Sequence, residues 1–408
     1  MSGPRILLWK NKIWEAWGSN MGDLAIITAT VEALRREVPG SRIIMFSDDP
    51  AHTESLYEGV TALRFSLGAY VRAVREADLV VVGGGTVFAD ATSMAIQVNT
   101  SAVYLARWLG TPAVLYGVAT GRMRRASRML ARGALKRVNL AFLRDAESLD
   151  ELGPIAPPSL KLEVTGDVAF SLRAPESALV RDNRVVIAPR RLFHYNDTRL
   201  PFAVRRRLRL LPSGYDAKLD LFKSLLAEVA DHLVENHGCE VVFLPMYSAI
   251  GPSRGLSGFL KKEFSSRDDR TCQDIHEKMA HKDDARVLLT DRPREVLSLI
   301  ASSRMLIGVP LHSLILAHVA ETPMVGLAYQ GKVDRFMRDS GLERFIIPVD
   351  SMDCPLERDE FISKVDACLA EEHALRERLA AGNVVVRETV DIPAMRIARL
   401  LGGQSAAS

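Results

Sequence analysis

The residue with the clearest chemical potential in this sequence is a histidine that opens an apolar helix. A buried strand ends near Gly308, a short turn follows, and His312 and Ser313 begin the helix. An imidazole gains and loses protons near neutral pH, so His312 is a candidate general acid or base. A structural histidine is the alternative, and both remain open at this point. His318 lies six residues further along the helix and faces another direction, so the pair does not indicate a metal site.

Cationic residues follow two other strands in the same half of the chain. Arg190 and Arg191 come directly after a strand that ends at Ala188, and Lys332 follows a strand that ends near Leu327. Guanidinium groups bind carboxylates and phosphates through paired hydrogen bonds. These side chains therefore indicate a site for an anionic substrate, and surface ion pairs are the alternative.

Glycines and small polar residues follow strands in the first half of the chain. The turn after the first strand suits either an anion site or a plain helix cap by Asn20 or Asp23. The glycine spacing matches neither G-x-G-x-x-G nor G-x-x-x-x-G-K-S/T, which excludes both nucleotide-binding loops. We interpret the residues as one wall of a substrate cleft, with tight turns as the alternative. The wall residues are Asn20, Gly22, Gly84, Gly85, Thr86 and Arg144.

Short apolar runs that alternate with helical segments supply the strands that place these residues. In the first half they are predicted at Arg5–Trp9, Arg42–Ser47, Asp78–Val82, Ala113–Tyr116, Leu140–Leu143 and Glu163–Thr165. In the second half they are predicted at Arg184–Ala188, Glu240–Leu244, Arg286–Leu289, Met305–Val309, Met324–Leu327 and Phe345–Val349. Continuous Val, Ile and Leu runs are typical of parallel strands covered on both faces. The chain is therefore predicted to be an α/β protein with two Rossmann-like doubly wound domains facing a cleft.

The alternation breaks once, in a polar, proline-containing segment that we interpret as a linker. The N-terminal domain is predicted to span residues 1–175, the linker 176–183 and the C-terminal domain 184–375. Residues 376–408 are predicted to form a C-terminal helix and tail that crosses back to the first domain. The helical stretch is expected to break near Gly382 and Asn383.

The bulk composition excludes several classes of protein. The 408 residues include 53 basic and 50 acidic ones, and a net charge of +3 does not argue for a nucleic-acid partner. The four cysteines form no CxxC pair, which predicts a cytoplasmic protein without a cysteine metal site. The sequence also lacks the apolar runs expected of a membrane span or a signal peptide.

One basic stretch, residues 122–137, contains seven cations on a helical pattern. Such a helix suits peripheral contact with an anionic membrane at its inner face, or with a phosphorylated carrier. A solvated helix face is the more conservative interpretation.

In their order along the chain, these motifs resemble those of the polysaccharide pyruvyl transferase family. The resemblance extends from Arg5 to about Val349. It is carried by Asn20 to Asp23, Gly83 to Gly85, Gly117 to Gly121, Arg144 with Asp145 and Ser148, Thr165 to Asp167, and Leu311-His312 followed by Pro323 and Lys332.

The resemblance implies a GT-B-like fold and the transfer of pyruvate from phosphoenolpyruvate to two hydroxyls of a saccharide, as a cyclic ketal. The first domain would hold the acceptor, a cell-surface or lipid-linked saccharide. The second would hold the anionic donor through Arg190, Arg191, Ser313 and Lys332.

The catalytic residues expected from this resemblance are His312 and Asp23. His312 would act either as the acid that protonates the enol carbon or as a base towards the attacking hydroxyl. Phosphoenolpyruvate would be a co-substrate, and neither a metal nor a further cofactor is expected.

The sequence departs from the family's pattern at one position. The family has arginine two residues before the histidine, whereas this chain has Pro310-Leu311-His312. Loss of a guanidinium that clamps the donor would cost on the order of 1.5–3 kcal/mol of binding. Either Arg304 or Arg191 substitutes for it, or the donor is not phosphoenolpyruvate.

Two other functions stay open on the residues alone. One is a GT-B glycosyltransferase whose nucleotide-sugar diphosphate would bind Arg190 and Lys332. The other is a non-catalytic saccharide-binding protein that retains the family's fold.

Overall fold

The computed structural model describes residues 3–9, 19–90, 95–175, 182–193, 202–248 and 267–405. These residues divide into two compact units. Unit 1 contains residues 3–9, 25–172 and 385–405, and unit 2 contains residues 19–24 and 173–384.

Unit 1 is built on a parallel sheet of seven strands. Numbered in chain order, they are β1 Arg5–Trp9, β3 Arg42–Phe46, β4 Val60–Leu63, β5 Leu79–Phe88, β6 Ala113–Thr120, β7 Leu140–Leu143 and β8 Leu162–Val164. Their spatial order is β4-β3-β1-β5-β6-β7-β8, and all the pairings are parallel.

Unit 2 contains a parallel sheet of six strands and a short antiparallel pair. The six are β9 Arg184–Ala188, β10 Glu240–Phe243, β12 Ala285–Val287, β13 Met305–Gly308, β14 Met324–Ala328 and β15 Ile346–Pro348, in the spatial order β12-β10-β9-β13-β14-β15. The pair joins β2, Ser19–Asn20, to β11, Tyr247–Ser248.

Helices connect the strands in both units. Those that begin before residue 173 are α1 Met21–Glu37, α2 Pro50–Leu56, α3 Leu67–Glu76, α4 Ala95–Leu109, α5 Arg125–Leu135 and α6 Ala146–Leu152. The later ones are α7 Phe202–Arg207, α8 Tyr215–His237, α9 Asp268–Lys278, α10 Pro293–Ala301, α11 Leu311–Val319, α12 Gly331–Asp339, α13 Arg358–Ala370, α14 Glu372–Val390 and α15 Ile392–Ser405. Helices α1 and α14 each contain residues of both units.

The two large sheets share one topology. The first strand of each lies inside the sheet, two later strands extend to one edge, and the remaining strands extend to the other. The strand order therefore reverses between β1 and β5 and again between β9 and β13, and ligands of such sheets bind at the carboxyl ends beside this reversal. The predicted fold class, two Rossmann-like doubly wound α/β domains of the GT-B type, is confirmed.

The apolar runs form strands because a sheet with helices on both faces buries every residue of its central strands. All twelve predicted strands are present, and Leu79 to Val82 of β5 are at most 1% exposed. The edge strand β4 was not predicted, because its residues alternate between buried and exposed positions over only four residues. The two-residue strands β2 and β11 are too short to give any periodic pattern.

The glycine run Gly83 to Gly85, predicted to follow the third strand, is part of that strand, so the alternative of a tight turn is wrong. Strand β5 continues to Phe88, and its pairing with β6 shifts register near Thr86. Gly84 and Gly85 have φ of 72° and 82°, a left-handed conformation that favours glycine. The run therefore allows an irregular strand rather than ending it.

The predicted helix break near Gly382 and Asn383 is wrong, since both residues lie inside α14. Gly382 packs against the ring of His318, where a Cβ would lie 2.9 Å from Nε2. Asn383 Nδ2 donates to the main-chain carbonyls of His318 and Val319. Packing inside unit 2 therefore overrides the local helix-breaking tendency.

Candidate functional site

His312 lies in the first turn of α11, directly after the central strand β13. Pro310 caps this helix in an extended conformation. The Ser313 hydroxyl is fully buried and donates to the Pro310 carbonyl at 2.7 Å, so it stabilises the turn that carries His312. A role for Ser313 in binding the donor stays a prediction.

The imidazole of His312 rests against the backbone of Gly22. A Cβ on Gly22 would lie 2.3 Å from Nδ1 of His312, a separation that non-bonded atoms do not tolerate. The two residues are 290 positions apart in the sequence, yet both belong to unit 2. The turn predicted as part of an acceptor wall in the first domain therefore contacts the candidate catalytic histidine in the second unit.

The antiparallel pair β2–β11 holds this turn in place. Asn20 pairs with Tyr247, and the amide of Met21 donates to the carbonyl of Met246 at 2.9 Å. The Asn20 side chain stabilises the turn both as an acceptor and as a donor of hydrogen bonds. Its Oδ1 accepts from the amide of Gly22 at 3.1 Å, and its Nδ2 donates to Oδ2 of Asp23 at 2.9 Å.

Arg190 and Lys332 both lie near Tyr329. The Arg190 guanidinium donates to the Tyr329 hydroxyl at 3.3 Å, and Lys332 Nζ lies 5.9 Å from the centre of the ring. Arg190 Nε also lies 3.5 Å from Oδ2 of Asp268, whose side chain is fully buried. The carboxylate of Asp268 thus orients the guanidinium, and Lys332 is an exposed cation at the start of α12.

Tyr247 connects the two halves of this cluster electrostatically. Burial is the main cause that raises the pKa of Tyr247, the negative charges of Asp23 and Asp268 add to the increase, and the charge of Arg190 opposes it; the resulting pKa is about 12. The phenol is therefore neutral at physiological pH and can donate a hydrogen bond. Asp23, Tyr247, Asp268 and Arg190 consequently form one interacting set beside the Gly22–His312 contact.

Arg191 points away from this cluster although it is the next residue after Arg190. Its guanidinium lies 3.5 Å from the centre of the Phe202 ring, in a separate cavity described below. Consecutive residues of an extended segment point to opposite sides, which accounts for the divergence. The two arginines, predicted as one donor-binding pair, are not brought together.

Arg304 is not placed to replace the family's arginine. It precedes β13, at the end of that strand opposite to His312. Its side chain forms an ion pair with Glu372 at 3.0 Å and donates to Asn183 at 3.0 Å. Of the cations considered from the sequence, Arg190 and Lys332 are those that the structure places in the cluster.

The remaining predicted wall residues lie in unit 1. Gly85, Val118 and Leu143 are aligned across β5, β6 and β7, so Gly84, Gly85, exposed Thr86 and Arg144 lie near the carboxyl ends of adjacent strands. They form a set of their own within that unit.

Arg144 is engaged by its neighbour, Asp145, through an ion pair of 3.0 Å. Burial alone would raise the pKa of the Asp145 carboxyl, but hydrogen bonds from Ser148 and the charge of Arg144 together lower it. Asp145 also caps α6 through the amide of Ser148. Arg144 therefore lies next to a carboxylate that is ionised at neutral pH, and its role towards an acceptor stays a prediction.

Sequence analysis missed three residues of the cluster: Tyr247, Asp268 and Tyr329. Tyr329 directly follows β14, so its position after a parallel strand was an available signal. Tyr247 lies beyond Leu244-Pro245-Met246, a segment that offers no charge, and Asp268 begins α9 rather than following a strand. No local pattern links these two residues to the site.

Among the described residues, one group of three side chains could hold a metal ion. It consists of His232, His237 and Asp366, and Nε2 of each histidine lies 2.8 Å from Oδ1 of Asp366. The two histidines lie in the last turns of α8, at the end of unit 2 opposite to His312. This group is therefore separate from the candidate site.

Comparison with solved structures finds proteins of the same fold. A putative UDP-N-acetylglucosamine 2-epimerase from Listeria monocytogenes is 10% identical with a TM-score of 0.58, over 99% of this chain and 97% of that one. UDP-GlcNAc 2-epimerases from Neisseria meningitidis (11% identical, TM-score 0.53, 95% and 98% covered) and Methanocaldococcus jannaschii (14%, 0.51, 90% and 92%) are similar. At such identities the likeness concerns the fold alone. Among curated proteins, no sequence matches this chain.

The fold is of the GT-B type, and unit 2 carries a cluster of a histidine, carboxylates and cations. The model of the polysaccharide pyruvyl transferase family matches residues 20–331. The chain belongs to this family, and its acceptor is accordingly a saccharide. None of the described helices is both long and apolar enough to cross a membrane.

Proposed function

We propose that this protein transfers pyruvate from phosphoenolpyruvate to two hydroxyl groups of a cell-surface or lipid-linked saccharide, which forms a cyclic ketal and releases phosphate. The observation that carries the proposal is the packing of His312 on Gly22, next to Asp23 and in the same unit as Arg190 and Lys332. A proton donor, a carboxylate and two cations are the groups that this reaction requires.

The chemistry balances without a metal or a redox cofactor. The methylene carbon of phosphoenolpyruvate takes up a proton, one hydroxyl adds to the neighbouring carbon, and a second hydroxyl then displaces the phosphate. Of the two protons lost by the hydroxyls, one accounts for the new methyl group and the other leaves with the phosphate. His312 supplies the proton to the methylene carbon, and Asp23, held by Asn20, accepts one from the attacking hydroxyl.

The donor's carboxylate and phosphate bind Arg190 and Lys332. Asp268 and Tyr329 hold the Arg190 guanidinium, so little conformational freedom is lost when the donor binds. Arg190 in this way compensates for the absence of an arginine at Pro310. The neutral phenol of Tyr247 contributes a hydrogen-bond donor to the same anion.

Two neighbouring arginines provide a matched test, read by calorimetric titration with phosphoenolpyruvate. Arg190→Ala is expected to weaken binding roughly 10- to 100-fold, since a charge-assisted hydrogen bond contributes about 1.5–3 kcal/mol. Arg191→Ala is expected to leave binding unchanged because its side chain points elsewhere. Equal effects of the two substitutions would contradict the assignment.

The role of His312 is tested separately by phosphate release from phosphoenolpyruvate in the presence of methyl glycosides of common hexoses and N-acetylhexosamines. His312→Gln should bind the donor yet lose turnover, whereas His373→Gln, at an exposed histidine, should keep it. Binding of UDP-GlcNAc but not of phosphoenolpyruvate would instead identify a glycosyltransferase. Binding of a saccharide with neither donor would identify a non-catalytic member.

A further inference from the structure

Unit 2 contains a cavity that shares no residue with the His312 cluster. Its volume is about 950 Å³, and it lies between α7 and the first turns of α8 and α9. Both of the long helices precede strands of the parallel sheet, so the cavity lies at the carboxyl end of that sheet. Ligands of doubly wound sheets bind at this end.

The cavity is lined by an excess of positive charge. Its six cationic residues are Arg191, Arg206, Arg207, Lys223, Arg267 and Arg270, and its three carboxylates are Asp216, Asp220 and Asp274. The excess of three charges equals the net charge of the whole 408-residue chain. Such a local concentration of positive charge attracts anions.

The carboxylates are already engaged by protein cations. Asp216 pairs with Arg206 at 3.4 Å and Asp274 with Lys223 at 2.6 Å. Asp220 pairs at 2.9 Å with Lys278, which lies outside the lining. Arg267 of the lining likewise pairs at 3.0 Å with Asp269, which lies outside it. The lining itself still contains three more cations than carboxylates.

Arg207 and Arg270 form no ion pair with any other residue that the structure describes. Together with Arg191 they represent three guanidiniums from three segments of the chain around one cavity. The first turns of α8 and α9 add the positive ends of two helix dipoles to the same space.

The distribution of cations in the cavity favours a diphosphate over a single phosphate or a nucleobase. Cations distributed along a cavity of this volume suit an anion with several separated charges, and arginine suits phosphate oxygens in particular. The Phe202 ring is covered on one face by Arg191 at 3.5 Å, so it offers less surface for stacking a base.

We infer that this cavity binds the diphosphate group of a diphosphate-linked saccharide. That this diphosphate belongs to the acceptor rests on the proposed function. In that function Arg190 and Lys332 already hold the donor, and the reacting hydroxyls of the saccharide are uncharged. The diphosphate site itself does not depend on that function. The divergent side chains of Arg190 and Arg191 then serve the two substrates separately.

Inorganic pyrophosphate is the probe for the site, titrated by calorimetry at about 0.15 M salt, where exposed charges are well screened. Pyrophosphate is expected to bind at least tenfold more tightly than orthophosphate. The double variant R207A/R270A should weaken pyrophosphate binding roughly 30-fold and leave phosphoenolpyruvate binding unchanged. Both residues are exposed, so the melting temperature of the double variant should equal that of the unaltered protein.

Two controls separate this inference from the proposed function. Arg190→Ala should weaken phosphoenolpyruvate binding and leave pyrophosphate binding intact, the converse of the double variant. Pyrophosphate binding that survives in R207A/R270A, or that phosphoenolpyruvate abolishes by competition, would overturn the separate site. Absence of phosphoenolpyruvate binding alone would overturn the proposed function and not the diphosphate site.

The source of the diphosphate is distinguished by competition against pyrophosphate. Farnesyl diphosphate represents a lipid carrier and UDP-GlcNAc a nucleotide carrier. If one of the two compounds displaces pyrophosphate from the unaltered protein and does not bind R207A/R270A, the result supports the inference and identifies the carrier. Failure of both to displace pyrophosphate would overturn the assignment to a carrier-linked saccharide.

Discussion

Gly22 is the residue on which the position of His312 depends most directly. The imidazole lies on the α-carbon of this glycine, and the turn around it is held by Asn20 and by the pairing with Tyr247. A bare backbone at this position lets the ring approach closely, which no other residue type would allow. Glycine is therefore required here because it leaves space for the catalytic imidazole. Its φ angle is one that other residue types also adopt.

Gly22→Ala is accordingly expected to lower kcat at least roughly 100-fold, because displacing a catalytic group by about 1 Å costs that much. The added Cβ would lie 2.3 Å from Nδ1, so the ring must move. Phosphate release and the melting temperature are measured together. Gly68→Ala is the control, since a Cβ there meets nothing within 4 Å. Full activity in Gly22→Ala would show that His312 does not need this position.

At the scale of single elements, helix α14 is anchored to unit 2 by a buried arginine. Arg376, 9% exposed, donates to the carbonyls of Glu321 at 2.9 Å and Ser303 at 2.8 Å. It also forms an ion pair with Glu372, one turn earlier in the helix, at 2.9 Å. These bonds satisfy carbonyls at the ends of two neighbouring elements, and they hold the helix that continues into unit 1.

Arg376→Ala is expected to lower the free energy of unfolding by about 3 kcal/mol, because it leaves two carbonyls without their donor and removes one of the two arginines that pair with Glu372. Arg378→Ala removes the same side chain two residues further on, at an exposed position, and should cost less than about 1 kcal/mol. Urea denaturation followed by circular dichroism measures both. Similar losses in the two variants would mean that the buried network contributes little.

At the scale of the whole molecule, the basic stretch 122–137 forms α5 and its flanks, and lies beside α4. Tyr104 of α4 donates to the carbonyl of Leu130 at 3.1 Å and carries Arg137 over its ring. Trp108 and Met129 on these two helices are 79% and 74% exposed. Large apolar side chains exposed beside seven cations suit the surface of an anionic membrane, and we propose peripheral contact with one.

Sedimentation with vesicles tests this surface. The protein is expected to pellet with phosphatidylglycerol vesicles and not with phosphatidylcholine, and high salt should release it. Trp108→Ala combined with Met129→Ala should reduce binding several-fold. Leu67→Ala, which alters a similarly exposed apolar residue on neither α4 nor α5, should not. Equal binding to both lipids would favour the solvated face.

The strands, the two-domain architecture and the membership of a family follow from local features of the sequence. A buried parallel strand needs a continuous apolar run, and such runs are visible at Arg184–Ala188 or Met305–Gly308 without any knowledge of their neighbours. The same holds for His312, Arg190 and Lys332, because position after a parallel strand is itself a local property. These residues were accessible to prediction for that reason.

Tertiary structure decided which of these residues meet. Gly22 and His312 come together only because a two-residue strand near the start of the chain pairs with Tyr247 in unit 2, and a pair this short carries no sequence signal. Likewise, the side chains of the adjacent Arg190 and Arg191 point in opposite directions from the extended segment after β9. Arg190 contacts Tyr329, whereas Arg191 lies over the Phe202 ring. The histidine at the start of the apolar helix is evident from the sequence. Its contact with Gly22 depends on distant segments of the chain, which only the folded molecule brings together.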